Sequence, residues 1–485
     1  MINNPDYMSF DEQNAETKHI EKVHMFFDTI EQGAKIFVQF PEFPEFAEET
    51  QNQPIKISVV SLEMARYDYE YLSPDPAQSQ IDYLKYRPYF SFFHVDVTSQ
   101  NLTALRDMKR SHAAGRWHLA RMRDDDLTKS TDYIKWELDG TYVTAASPIN
   151  CVRKRLLIFD DRMISQESRD EINFITAAYS YDFTGCLKTP AQIQSILELV
   201  WDKADSPQKI DIYNVGHGNA DYIRGQKSRI LYDIGYEYRK YPSLRPTQYP
   251  RAAIALRCLE PSCVILSHWD LDHIIGCAYA KRKLFGCPWI APNLLEKTSV
   301  NAKRLARYLA CIGRLFLVER KCCPRKIADI TGMPDTHICL WQCYGRDQYV
   351  TSKENCTGLV VEIKKGSAPI SALHVLLAGD VPYGCLPDVV LKSPIHFLHV
   401  PHHCSKMTLD RLQAEKDGAN SIAVISTHRV YPSTGPSYLE EDGTHKMVLG
   451  KKFHEVLYTV GTVPCADDKN LSIQFDCRKQ CYKFR

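Results

Sequence analysis

The sequence has no apolar run approaching the roughly 20 residues of a membrane span, so no partner membrane is expected. It also lacks an excess of charge of either sign. The 60 Lys and Arg against 59 Asp and Glu leave a formal net charge of +1. That balance argues neither for nor against nucleic acid, because a local basic patch disappears in the sum. The amino terminus, Met1-Ile2-Asn3-Asn4-Pro5-Asp6, has neither the basic start nor the apolar core of a signal peptide. Seventeen cysteines, an odd number, form no repeating framework, which suits a reducing cytoplasm better than a disulfide scaffold. Cys322-Cys323 and the Cys477/Cys481 pair have no matching second pair nearby and read as ordinary thiols. A cytoplasmic location is the expectation.

What is present is ordinary in bulk and unusual in one place. Hydrophobic residues at 44% and charged residues at 25% are those of a globular protein, and 485 residues exceed one ordinary core, so two domains are expected. In residues 1–205, Ile36–Phe40, Ile55–Val60, Phe90–Val97 and Leu156–Phe159 read as strands. The stretch from Leu102 to Arg123 reads as helical and basic, with Arg106, Lys109, Arg110, Arg116, Arg121 and Arg123. Such a run is a solvated helix face or, alternatively, a nucleic-acid or phosphate surface. This half is expected to be a mixed α/β accessory domain, open to a protein partner. Thr189–Lys203 reads as a helix broken by Asp205-Ser206-Pro207, which places the boundary there. Residues 206–485 alternate strands with helices and predict a layered α/β domain.

The unusual place is Ser267-His268-Trp269-Asp270-Leu271-Asp272-His273-Ile274-Ile275-Gly276, which follows the apolar run Cys263–Leu266. That run reads as a buried strand, and Ile-Ile-Gly as the start of a helix. Side chains alternate along an extended chain, so His268, Asp270 and Asp272 share a direction, and His273 joins them where the chain turns. Imidazole nitrogen and carboxylate oxygen are normal ligands of Zn²⁺ or Mn²⁺. A surface loop rich in His and Asp is the competing reading, but such a loop needs no buried strand to feed it. Later, the strand Val375–Ala378 delivers Gly379-Asp380, where a carboxylate is placed to bridge two cations; capping the following segment is its alternative role. The strand Ile395–Val400 ends in Pro401-His402-His403-Cys404-Ser405-Lys406, while His396 and His399 within it read as core or edge residues.

The stretch 267–276 resembles the His-x-His-x-Asp-His signature of the metallo-β-lactamase fold, with Asp270 for the second His. The variant is most similar to the hydrolase domain of DNA-uptake competence proteins. Asp233-Ile234-Gly235 after the strand Ile230–Tyr232 matches that family's Asp-x-Gly, whose Asp supports the metal site from behind. Gly216-His217-Gly218-Asn219 resembles its glycine turn, with His217 and Asn219 departing from Gln and Asp. His402-His403-Cys404-Ser405-Lys406 resembles its His-His-Gly-Ser-Lys, with Cys404 in place of Gly.

The resemblance spans about residues 208–476 and implies an αββα sandwich in 206–485. It also implies a bridging role for Asp380 and a further histidine before the last helix, for which His445 is the nearest match and His428 the weaker one. The metal ligands it implies are His268, Asp270, Asp272, His273, Asp380 and His402, with the choice between His402 and His403 left open. Asp272, His403 and His445 are the catalytic candidates. Two divalent cations, Zn²⁺ or Mn²⁺ with Mg²⁺ as a further option, would lower the pKa of a shared water to near 7. Asp270 adds a hard anionic oxygen that suits Mn²⁺ or Mg²⁺ and an anionic substrate. The expected function is a metal-dependent phosphodiesterase or nuclease acting on DNA or another nucleotide. The alternatives are a cyclic-nucleotide phosphodiesterase and a signalling or scaffold subunit of a multi-protein, defence-type complex with a latent site.

Overall fold

A computed structural model describes residues 10–40, 55–72, 86–95, 98–111, 115–123, 134–145, 149–216, 218–236, 256–296, 298–332, 335–350, 352–365, 373–392, 394–412, 421–426, 443–459, 471–476 and 481–484. Their contacts divide into two compact units that are not contiguous in sequence. The first takes the described residues up to Phe183 together with Leu295–Gly313, and the second the remainder from Thr184.

In the first unit six antiparallel strands close into a barrel, in the order Ile36–Gln39, Ile55–Val60, Phe90–Val95, Ile134–Ala145, Ile149–Phe159, Trp117–Arg123. Closure pairs Trp117–Arg123 back onto Ile36–Gln39 and leaves no open edge. The sequence expectation of a mixed α/β region is met by helices Phe10–Glu31, Leu62–Tyr71, Ser99–Arg110 and Gln166–Ala178. The barrel itself was not visible from isolated strands. The basic helix is shorter than expected, ending at Arg110, and Trp117–Arg123 is a strand. Ala120 and Met122 are buried and alternate with exposed Arg121 and half-buried Arg123, a period of two that overrides the helical reading.

Helix Val300–Cys311 belongs to this unit although its sequence lies far downstream. Its Arg304 is wholly buried and bonds Asp68 through Nε at 2.8 Å. Asp68 also accepts from the hydroxyls of Tyr86, Tyr89 and Tyr179. Arg304 donates further to the carbonyl of Tyr89 and to Asn301 Oδ1. A buried ion pair offsets its desolvation only when its remaining donors and acceptors are matched; here the surrounding hydroxyls and carbonyl do that.

The second unit contains two sheets. The nine-stranded sheet carries Arg229–Tyr232, Cys263–Ile265, Trp289–Pro292 and Leu315–Val318 as adjacent parallel strands. In the seven-stranded sheet the parallel strands are Leu373–Leu377, Phe397–His399, Ile422–Ile425 and Glu455–Tyr458. One core cluster draws on both sheets: Ile212, Ile223, Tyr232 and Ile265 from the first, Val361, Val375, Phe397 and Val424 from the second. The intervening residues of the seven-stranded sheet, Val360, Leu376, Leu398 and Ala423, enter a second cluster with Leu449 and Phe453. Both its faces are therefore buried, which is why its strands read as continuous apolar runs.

Helix Pro190–Val200 sends Ile193 and Leu197, with Trp201 behind them, into the shared core, so the second unit starts upstream of the Asp205-Ser206-Pro207 break. Asp205 is not linker-like: its carboxylate accepts the backbone N–H groups of Gln226, Lys227 and Ser228 at 2.7–2.9 Å. The helix carrying His445 ends at Lys452, and Glu455–Tyr458 beyond it is an edge strand in register with Ile422–Ile425.

Candidate metal centre

The carboxyl ends of the parallel strands deliver the chemistry, as open α/β sheets commonly do. Tyr232 leads to Asp233, Ile265 to the 267–273 turn, Leu377 to Gly379-Asp380, His399 to His402-His403, and Ile425 to Ser426. The turns are stitched to one another through their backbones. Ile234 N–H bonds the His273 carbonyl, Leu359 N–H the Ser267 carbonyl, and His402 N–H the Gly379 carbonyl, at 2.9–3.0 Å.

Among the described residues, Asp272, His273, Asp380 and His403 offer ligand atoms that all lie within 4.8 Å of one another, and all four are buried. Asp380 stands at their centre. Its Oδ1 faces His273 Nε2 at 3.1 Å and His403 Nε2 at 3.9 Å, and His403 Nε2 is also 3.7 Å from Asp272 Oδ2. Its Oδ2 faces His268 Nε2 and His402 Nε2, each at 3.8 Å. Asp270 joins that second side, 3.4 Å from His268 Nε2, with its side chain 44% exposed. The two oxygens of one carboxylate thus divide six surrounding side chains into two groups.

The far side of the rings is fixed. His273 Nδ1 is 2.8 Å from Asp233 Oδ2, His268 Nδ1 is 2.9 Å from Ser267 Oγ, and His403 Nδ1 donates to the Ser426 carbonyl at 2.9 Å. Asp233 also takes Ser267 through its backbone N–H and its hydroxyl, both at 2.7 Å. Anchoring Nδ1 in this way selects the tautomer that leaves Nε2 as an acceptor, the form that binds a cation. Nε2 of His268, Nε2 of His273 and Oδ1 of Asp380 are buried and in no hydrogen bond among the described residues. Unmatched buried acceptors of this kind are costly, and a divalent cation satisfies them, so the donor set fits one.

Without a cation, the same groups hold one another by opposite charge instead. Burial alone would push the Asp380 carboxyl up, but His273, His402 and His403 around it hold it well below the ordinary carboxylate range. Burial disfavours charge on His273, yet Asp380 and Asp233 outweigh it and hold its pKa well above the usual value. The site is built to concentrate charge.

The structure gathers His268, Asp270, Asp272, His273, Asp380, His402 and His403. It does not bring in His445, whose Nε2 lies 3.0 Å from the Tyr383 hydroxyl and whose Nδ1 lies 3.0 Å from the Ser405 carbonyl. Those contacts place His445 against the 402–405 turn, supporting it from outside the cluster. His217 and His428 lie outside the described residues. Sequence reasoning missed Asp221, His399 and Ser426, which make a second buried polar set beside the first. The available signal was a histidine interrupting the apolar run 397–400; its acidic partner lies on a different sheet and left no trace in local spacing.

No family model and no curated protein matches the sequence. Several solved structures are similar in part. A diphosphatase of the PhnP family gives a TM-score of 0.28 at 11% identity, over 54% of this chain and 85% of that one. The metallo-β-lactamase fold protein YhfI from Bacillus subtilis gives 0.27 at 11%, over 52% and 95%. Zn²⁺-bound PqqB from Methylobacterium extorquens gives 0.26 at 11%, over 49% and 84%. At such scores these likenesses carry no argument, and the reading of the site rests on its own geometry.

Proposed function

We propose that this chain is a metal-dependent hydrolase acting on a phosphodiester, in DNA or another nucleotide. In this reading the second unit forms an αββα sandwich of the metallo-β-lactamase type, and the first unit recruits substrate or a protein partner. The observation that carries it is the convergence of histidine Nε2 atoms and carboxylates on the two oxygens of Asp380, with the Nδ1 atoms of His268, His273 and His403 tied down behind. Asp272, His273 and His403 would hold a divalent cation on the Oδ1 side, and His268, Asp270 and His402 one on the Oδ2 side. Bound there, such cations make water acidic enough to ionise near neutral pH and offset charge growing on a phosphoryl oxygen.

The chain's own residues then have separable roles. Asp380 sets the distance between the two groups. Asp233 and Ser267 hold the rings of His273 and His268. Asp272 Oδ2 and His403 Nε2 face each other at 3.7 Å and would share the cation on the Oδ1 side. Asp270, half exposed on one side, adds anionic oxygen, which favours hard cations such as Mn²⁺ and an anionic rather than an acyl substrate.

The test begins with elemental analysis of the purified protein. It continues with hydrolysis of DNA, RNA, cyclic nucleotides and a β-lactam under Mn²⁺, Mg²⁺ or Zn²⁺. Bound divalent metal and hydrolysis of a phosphodiester are expected. Asp272→Ala with His273→Ala should abolish both while circular dichroism stays unchanged, because the two sheets carry their core without these side chains. A double variant with full metal content would show the ligand assignment to be wrong, and turnover of the β-lactam alone would remove the phosphodiester reading.

A further inference from the structure

Asp221 and His399 meet across the core that the two sheets share. Asp221 lies on strand Asp221–Arg224, in register with Ile212 and Tyr232 of the nine-stranded sheet. His399 closes strand Phe397–His399, in register with Leu377 and Val424 of the seven-stranded sheet. All four of those neighbours belong to the apolar core. His399 Nδ1 is 2.7 Å from Asp221 Oδ2, and its Nε2 is 2.7 Å from Ser426 Oγ. The three residues are 0–1% exposed.

Asp221 accepts, so Nδ1 of His399 carries the proton, Nε2 accepts, and the Ser426 hydroxyl donates to it. This is the polarity of a nucleophilic Ser-His-Asp array, but a hydroxyl sealed from solvent reaches no substrate. A packed apolar pair would serve the core as well or better, because a buried carboxylate gives up its hydration for a single imidazole partner. What the polar set does that an apolar pair cannot is hold Ser426. The carbonyl of that same residue accepts Nδ1–H of His403.

We propose that Asp221 and His399 are positioning residues for His403. Through the Ser426 hydroxyl they fix the Ser426 carbonyl, which sets the tautomer and ring orientation of His403 and turns its Nε2 towards Asp272 and Asp380. The set joins the nine-stranded sheet to a residue whose ring belongs to the cluster, so the two sheets are pinned at the level of the site. This inference rests on the metal-centre reading above.

The experiment compares wild type with the double variant Asp221→Leu/His399→Leu and with Ser426→Ala. The readouts are thermal midpoint, Co²⁺ affinity by absorbance, and the His403 imidazole ¹⁵N–¹H resonances in metal-free protein. The double variant is expected to melt no lower than wild type. It should bind Co²⁺ about 10–100-fold more weakly, the usual effect of losing a group that orients a ligand, and its His403 should lose the single Nδ1–H tautomer. Ser426→Ala should reproduce the last two effects, and it decides the matter alone if the double variant does not fold. Unchanged affinity together with an unchanged His403 tautomer overturns the proposal. If wild type takes up no cation, the metal reading fails, and the tautomer alone judges this one: mixed in the variants it stands, retained it falls.

Discussion

At position 404 the backbone has a φ of +67°, and His402 and His403 before it stand at +50° and +52°. Three successive non-glycine residues in the left-handed region are strained, at roughly 1–2 kcal/mol each, and such strain gathers at functional sites. It persists here because the His402 N–H is tied to Gly379 and the His403 ring to Ser426. Cys404 is fully buried in the second core cluster, so its side chain gains by packing what its backbone loses. Cys404→Gly would relieve roughly 1–2 kcal/mol of strain. It would forgo a comparable amount, about 1–2 kcal/mol, in lost burial, cavity and chain entropy. Its denaturant midpoint should stay near wild type. Cys404→Val adds a β-branch where φ is positive, and should lose about 2 kcal/mol or more. A valine variant as stable as wild type would mean that the turn is not held in this conformation.

The elements of the site share one device, a strand that stops and turns tightly against its neighbour. Most of the strands were legible because burial on both faces writes apolar runs into the sequence. The residues 267–273, 379–380 and 402–403 were legible because polar residues cluster where those runs end. The barrel was not, since its closure depends on pairing Trp117–Arg123 with Ile36–Gln39, far apart in sequence. Nor was the Asp221–His399 pair, for the same reason of long-range register. Glycine at the turns is a stronger signal than it first looks. A Cβ on Gly235 would collide with the backbone oxygen of Asp272 and the backbone nitrogen of Asn219, neither of which can rotate away. Gly235→Ala is therefore expected to cost about 1–3 kcal/mol as an overpacking change and to lower metal content by displacing Asp272. Gly286→Ala, with nothing within 4 Å of the added carbon, is the control and should be neutral or slightly stabilising. Equal midpoints and equal metal content for the two variants would contradict the close approach of these turns.

For the whole molecule, the question is how far the two units are independent pieces of chain. The helix Val300–Cys311 leaves the run of the second unit between strands Trp289–Pro292 and Leu315–Val318 and is counted with the first. It takes with it Arg304 and Asn301, both buried, the latter exchanging hydrogen bonds with the backbone of Ser91 at 2.9 and 3.0 Å. A fragment beginning at Ser206 keeps this helix and discards Asp68, Tyr86, Tyr89, Tyr179 and Ser91. Arg307 also loses the Leu72 carbonyl that its Nε bonds at 2.7 Å, and Tyr308 the ring of Tyr86. Such a fragment is expected to aggregate or to unfold without cooperativity. In the full chain, Arg304→Met leaves the Asp68 carboxylate buried without its cation, and should cost about 3–5 kcal/mol. That is a large share of the roughly 5–15 kcal/mol by which domains are stable. Asp68→Asn with Arg304→Met removes both charges and should recover part of the loss, since the tyrosine hydroxyls still find an acceptor oxygen. Chemical denaturation of the three proteins measures this directly. A monomeric, cooperatively unfolding fragment 206–485, or an Arg304→Met variant within 1 kcal/mol of wild type by the measure of ordinary surface changes, would show that the helix is only loosely held by the first unit.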